Sequence, residues 1–524
     1  MGPDHAPPPL AADASALSGA DGAPPPLRQN LEMVTLGWVF GSVWVTATAG
    51  APLTRFATEL HASPWQFGLL TAMPFLASLL SLPASLLIER TGARKQIFLS
   101  GLYFQRTLWF AIALLPLWIV SRHGFADAPR AVFWFLLLTF FMHAGNAVGG
   151  PAWVSWMADL VPGRLRGKYF SRRRQWGILP ALPAAVLVGW VLDRNGTSPI
   201  QTLQWCAVIF MCAAVCGVVD IHVFHYVPEL RPARRRGAGL LKAMLRPLRD
   251  RTFLVFGGFT ATMTFSLCFM TQFVALYLIE RLGVTSSQTQ LMLIVGPMLA
   301  QLLVLGAWGA AADRMGKKPV LVIAGAGLVP VGLAWVLVGR SDLWLGYVLM
   351  AAGAALWTGV EVANFNLVLA MAGAKRAAAG DASADGASAA DGADANGGTA
   401  YVATNSVIVN IAGCLGGLAA GLIAQGLKDW SWQPLAEMKT FTSFDVLFVL
   451  SGVLRLASVV IFLPHLHEPG AKSVAETLRF MAAWLWAAVA GGLAGAVAAP
   501  ARLLARFRPD EHEVALRGDA TTPA

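Results

Sequence analysis

Glu361 stands three residues before Asn364 in the run Leu356-Trp357-Thr358-Gly359-Val360-Glu361-Val362-Ala363-Asn364, inside an apolar stretch long enough to cross a bilayer. It is read as the one carboxylate near the middle of a span. A carboxyl group in a low-dielectric span takes up and releases a proton as its surroundings change, and an amide one turn away shares its helical face. That pairing suits a proton carrier beside a solute-binding amide; the plain alternative is a hydrogen bond or ion pair inside a helix bundle. Arg106 and Arg455 also fall within apolar runs, where a cation more often turns to carbonyls or an acid than to cargo. An anionic cargo would be favoured if either arginine reached the solute cavity. His143 and Asn146, Asn405 and Asn410, and the pair Trp153 and Trp156 would furnish a roomy, partly polar cavity for an organic solute. Intramembrane Trp and Asn also serve packing and bonds between helices.

Other chemistry is poorly supported. His222 and His225 stand beside Asp220 at the end of an apolar run, a spacing that can hold a metal, yet no further cluster completes the site, so no metal is expected. The five cysteines, Cys206, Cys212, Cys216, Cys268 and Cys414, all lie in apolar runs and imply packing, with no disulfide framework. A phosphate-cradling glycine loop ending in Lys-Ser or Lys-Thr is missing from the sequence, which disfavours ATP-driven work; no cofactor is expected.

The elements that must position these residues are membrane helices. With 56% apolar residues, 13% charged residues and 19 Trp, the chain is far more apolar than a water-soluble protein of its length requires. A helix crossing the hydrocarbon layer needs about 20 apolar residues. Windows of that size give twelve: 34–54, 66–88, 97–120, 131–158, 176–193, 203–224, 253–279, 288–312, 319–339, 343–372, 401–427 and 444–464. The fold class expected is all-α and membrane-embedded, with twelve spans in two pseudo-symmetric six-helix halves over 31–225 and 252–464. A basic loop, 226–251, joins the halves.

Two loops carry the same pattern at the same place in each half. After span eight stands Gly309-Ala310-Ala311-Ala312-Asp313-Arg314-Met315-Gly316-Lys317-Lys318, and after span two Ser85-Leu86-Leu87-Ile88-Glu89-Arg90-Thr91-Gly92-Ala93-Arg94-Lys95. Such a carboxylate could accept bonds from orphan helix-end amides and from an arginine across a seam, while the glycine permits a tight reversal. Lys and Arg crowd the loops on one side, and the positive-inside rule then places both termini and the central loop in the cytoplasm, with the chain integral to the plasma (inner) membrane. The basic residues flank spans and form no aromatic-interleaved face, so the partners expected are lipid and a small solute, not nucleic acid. Residues 1–30, rich in Pro and Ala, read as a disordered cytoplasmic start, and 377–399 as a flexible insert. The apolar stretch 480–500, flanked by cations within the C-terminal segment 465–524, reads as a helix on the inner membrane face or tucked under the bundle, with a thirteenth span as the alternative.

Six plus six spans, a basic central loop and the paired loops resemble the major facilitator superfamily of secondary transporters. The resemblance covers about Leu31 to Pro464. Trp153-Val154-Ser155-Trp156-Met157-Ala158-Asp159-Leu160-Val161-Pro162, followed by Arg166-Gly167-Lys168-Tyr169-Phe170, resembles the end of span four in many bacterial members. The resemblance implies alternating access, a cavity-lining role for span ten, and latch roles for Gly309, Asp313, Arg314, Gly316 and Lys317. In the first loop the latch falls on Glu89, Arg90, Gly92 and Arg94, with Ser85 where Gly is usual and Glu89 in place of Asp. The function implied is movement of a small organic solute, with protons as the candidate coupling ion. Drug and metabolite exporters of the family often carry Gly-Pro followed closely by Gly-Gly in span five. Trp176 to Trp190 contains prolines without that pattern, which favours uptake or facilitated movement over proton antiport. A polytopic membrane enzyme would require clustered acid and base groups at one membrane face, and only the incomplete His222 and His225 group is offered.

Overall fold

The computed structural model describes residues 27–229, 247–378, 395–433, 439–468 and 470–490. Most of the proline-rich start, the central-loop cluster from Arg231 to Arg246, most of the insert and the chain after Ala490 lie outside the described residues. Twelve helices among those described are long and apolar enough to cross a membrane. They are Leu27–Glu59, Pro64–Thr91, Arg94–His123, Phe125–Leu160, Arg172–Asn195, Pro199–Tyr226, Arg251–Arg281, Ser286–Arg314, Lys317–Leu337, Leu343–Val368, Ala400–Gly426 and Ser443–His465, here spans one to twelve. Each falls on one of the twelve sequence windows.

The helices overrun those windows at several ends. Leu27 already begins the first helix, so residues 27–30 belong to span one and not to a tail. The helix containing span five starts at Gly163, which places Arg172 to Arg174 on helical turns instead of in a loop. Leu179, Leu187, Trp190, Val460 and Ile461 are all exposed on their helices. Faces this apolar match lipid tails, which need no hydrogen bonds from them.

Two spans break, and each break has a local cause. Span one interrupts at Gly50, whose φ of 71° is open to glycine at no steric cost. The buried Gln290 of span eight fills the gap: its Nε2 donates to the Thr46 carbonyl at 3.0 Å, and its Oε1 accepts from the Ala51 amide at 2.9 Å. Span two breaks between Ser78 and Ser81. Pro83 has no amide to offer the Leu79 carbonyl, which takes a shorter-range bond from Leu82 instead.

The halves meet most closely at the face opposite the paired basic loops. Spans two and eleven touch backbone to backbone, where a Cβ added at Gly68 would lie 2.4 Å from Gly421 Cα and 2.7 Å from the Gly417 carbonyl oxygen. Small residues let backbones approach in this way in membranes. Nearby, Asp193 at the end of span five accepts from the Ser286 and Ser287 amides, at 2.6 and 2.8 Å, and so caps span eight across the seam.

Beyond span twelve a helix runs over Val474–Ala490. Its buried stripe, Thr477, Phe480, Met481 and Trp484, packs on spans eight and nine, as i, i+3, i+4, i+7 spacing dictates. The Lys472 amide donates to the Met315 carbonyl at 2.7 Å, while Trp484 packs over Gly306, nearer the middle of span eight. The described part therefore stands alongside span eight instead of lying flat beneath the bundle.

Candidate functional site

Four amides and three hydroxyls converge between the halves. A cavity of about 370 Å³ is lined by Ser78 and Ser81 at the break of span two, Asn146, Gly150 and Pro151 of span four, Asn364 of span ten, and Asn405, Ser406 and Asn410 of span eleven. Asn405 is held in place: its Oδ1 accepts from Thr260 at 3.3 Å, and its Nδ2 lies 3.5 Å from Asn364 Oδ1. The side chains of Asn146 and Asn410 make no hydrogen bond among the described residues. A wall of this kind offers donors and acceptors without net charge, the chemistry that orients hydroxyls, carbonyls or ring nitrogens of a neutral solute. The asparagines were legible in the sequence. The serines were not singled out, since a serine in a span commonly bonds back to its own helix, as Ser78 does to the Pro74 carbonyl at 2.6 Å.

Glu361 departs from expectation in being exposed rather than buried. The Trp357 indole N–H donates to its Oε1 at 2.9 Å. Trp357 lines a second, mostly apolar cavity of about 250 Å³, and Asn364 lines the amide cavity. Glu361 lies between them on one stripe of span ten, about one turn from each, and lines neither. His143 sits one turn before Asn146 and outside the cavity lining. Trp153 is not at the cavity either: its ring packs on Phe170 and lies under the Arg173 guanidinium, 5.1 Å away, which also covers Trp38 at 4.6 Å.

Nearer the end of a span, a second carboxylate, Asp220, is buried within the bundle. Asp220 turns away from His222 and His225 into the first half, where its Oδ2 accepts from Arg106 at 3.1 Å, both side chains being almost wholly buried. The guanidinium also stacks on Trp44, 3.4 Å from the ring centroid. Arg106 thus has the structural partner that its burial demands. His222 and His225 stay exposed, with Tyr103 Oη 3.1 Å from His222 Nδ1. Among the described residues no group of three or more His, Cys, Asp and Glu gathers as a metal site would require.

The paired loops behave otherwise than their carboxylates suggested. Neither the Glu89 nor the Asp313 carboxylate makes a hydrogen bond among the described residues; Arg94, Lys95 and Lys317 make contacts toward their own halves. Arg94 pairs with Asp159 at 2.5 Å and also donates to Ser155, both on span four. Lys317 pairs with Glu468 at 3.4 Å. Two carboxylates missed in the sequence repeat one job: Glu229, just past span six, accepts from the Lys95 amide at 3.1 Å, and Glu468, just past span twelve, accepts from the Lys318 amide at 2.7 Å. Each caps the start of its half's third span. Gly92 and Gly316, with φ of 70° and 102°, make the reversals for which glycine was expected.

Twelve lipid-compatible spans in two similar halves around a solute-sized polar cavity define a polytopic membrane transporter, not an enzyme. Residues 33–388 match the model of the Major Facilitator Superfamily, and the chain belongs to that family. No curated protein matches the sequence. Solved structures share the fold at low identity. A nucleoside transporter NupG mutant aligns with TM-score 0.59 and 12% identity over 84% of this chain and 100% of its own. A D-xylose-proton symporter gives 0.59 and 13% over 85% and 98%. A bacterial homologue of the human lysosomal transporter Spinster, in an inward-facing and unoccupied conformation, gives 0.56 and 16% over 88% and 98%.

Proposed function

We propose that this protein moves a small, neutral, hydroxyl-bearing organic solute across the plasma membrane by alternating access, with the amide cavity as its binding site. The observation that carries this reading is asymmetric contact between the halves around that cavity. They are sealed at the face opposite the basic loops by Gly68, Gly417, Gly421, Gln290 and Asp193, while Lys95, Lys317 and Lys318 of the basic loops bond within their own halves. On this reading the cavity opens toward the basic face, with the Glu89 and Asp313 carboxylates not engaged across the seam. Closing that face would bring Asp313 and Glu89 to partners they lack here. The lining amides favour solutes such as nucleosides and pentoses, the classes named for the structurally similar transporters.

Glu361 is the proposed coupling residue, being a carboxylate one turn from the amide wall. The test is transport in reconstituted vesicles of a panel that begins with nucleosides and D-xylose, with and without an imposed proton gradient. For the solute carried, Glu361→Gln is expected to lose gradient-driven accumulation while exchange of solute between the two sides persists. Accumulation that survives the substitution would assign coupling elsewhere. Asn146→Ala and Asn410→Ala serve as binding controls: each is expected to raise the half-saturating concentration about tenfold, as for a lost hydrogen bond.

Orientation follows from the loop charges, with the basic face and both termini cytoplasmic. Reporter fusions after Arg94 and Lys318 are expected to read cytoplasm, and fusions at His61 and Asp342 the opposite side. Reversed signals at Arg94 and Lys318 would invert the direction assigned to the open cavity.

A further inference from the structure

Each half buries a guanidinium between its third and sixth spans, but only one of the two has a counter-charge. In the first half, Arg106 of span three meets Asp220 of span six. In the second half, Arg455 of span twelve donates to the Leu328 carbonyl of span nine at 3.1 Å and to the soft Met270 sulfur of span seven at 3.2 Å. Arg455 is 3% exposed and forms no ion pair, so most of its five donors and its whole charge are unanswered. A buried unpaired charge is strongly unfavourable, and chains keep one there only where something else meets it.

What adjoins it is a space. Arg455 lines the second cavity, about 250 Å³, whose walls are otherwise nearly all apolar: Met270, Leu328, Trp335, Met350 and Trp357 among them. Gln301, at its edge, accepts from Arg174 of the first half at 2.8 Å and leaves its amide protons unused. One fixed cation at the wall of a small apolar chamber is complementary to a single anionic head on a short apolar body. The chamber has room for one short chain or one ring and is too small for a diacyl lipid.

We propose that this chamber is a binding site for a short-chain or aromatic monocarboxylate, its carboxylate forked on the Arg455 guanidinium and its hydrocarbon part against Trp335 and Trp357. The site lies wholly within the second half and is separate from the amide cavity, so it stands whether or not the solute assigned above is carried.

The test is equilibrium binding of octanoate to the purified full-length protein in nanodiscs, with octanamide as the uncharged isostere and tryptophan fluorescence as a second readout, since two indoles line the chamber. Octanoate is expected to bind and octanamide to bind about tenfold or more weakly. Arg455→Gln is expected to erase that difference and Arg455→Lys to keep part of it. Gly353 also lines the chamber, and a Cβ there would meet only Val331, at 3.4 Å, so Gly353→Leu should fill the space without touching the arginine. It is expected to exclude octanoate even if Arg455→Gln does not fold. Equal binding of octanoate and octanamide, no binding of either, or undiminished octanoate binding by folded Gly353→Leu protein would overturn the proposal.

Discussion

Gly68→Val is expected to leave the protein inserted and folded yet unable to transport. The added Cβ would lie 2.4 Å from Gly421 Cα and 2.7 Å from the Gly417 oxygen, and backbone atoms of a packed helix cannot step aside as a flexible side chain would. Spans two and eleven must separate, which removes the seal at the face opposite the basic loops. A transporter that cannot occlude one side cannot complete a cycle, so turnover should fall about tenfold or more, tracking the population shift. The structural readout is a cysteine at Gln425, whose Oε1 lies 3.5 Å from the Trp65 amide at the seam. In the Gly68→Val background it should react faster with a membrane-impermeant thiol reagent. Gly426→Val is the control, because nothing lies within 4 Å of the Cβ it would add. Wild-type turnover in Gly68→Val vesicles would show that the seam is not part of the cycle.

The second large effect concerns the buried pair of the first half. Asp220→Asn preserves size, which matters because Gly41 leaves no slack there: a Cβ at Gly41 would lie 2.5 Å from Asp220 Oδ2. What it removes is the charge that answers Arg106. Stranding one member of a buried pair typically costs about 3–5 kcal/mol, whereas replacing both members is far better tolerated. Asp220→Asn should therefore lower the melting temperature and the yield sharply. Adding Arg106→Gln should restore most of both, although it deletes the stacking on Trp44 as well. Thermal unfolding of the two single variants and the double variant gives the coupling directly. Additive losses would mean that the two charges are each satisfied by other groups.

The spans and paired loops were legible because their signals are local: unbroken apolar runs of bilayer length, and a turn glycine with basic neighbours. The cavity was half legible. Its asparagines stand out in apolar runs, but only the break that Pro83 imposes brings Ser78 and Ser81 to the same wall. Asp220 was misread because it sits next to two exposed histidines near the end of its span, and sequence gives no sign that its side chain turns the other way. Arg455 was legible as a charge in a span, while the missing acid is a property of the neighbouring helices. The basic loops posed a different difficulty: their partners depend on which face of the protein is open, and one sequence serves both states.

The carboxylates Glu229 and Glu468 also bear on the order in which the protein is made. Glu229 leaves the ribosome directly after span six, so the first half can clasp its third span before most of the second half has been made. The second half has no such head start, because its clasp waits for Glu468, a few residues past the last span. A chain cut after Leu463 would keep nearly all of its twelve spans and lose the residue that fastens the last six. The stretch following span twelve is thereby part of how the second half is finished.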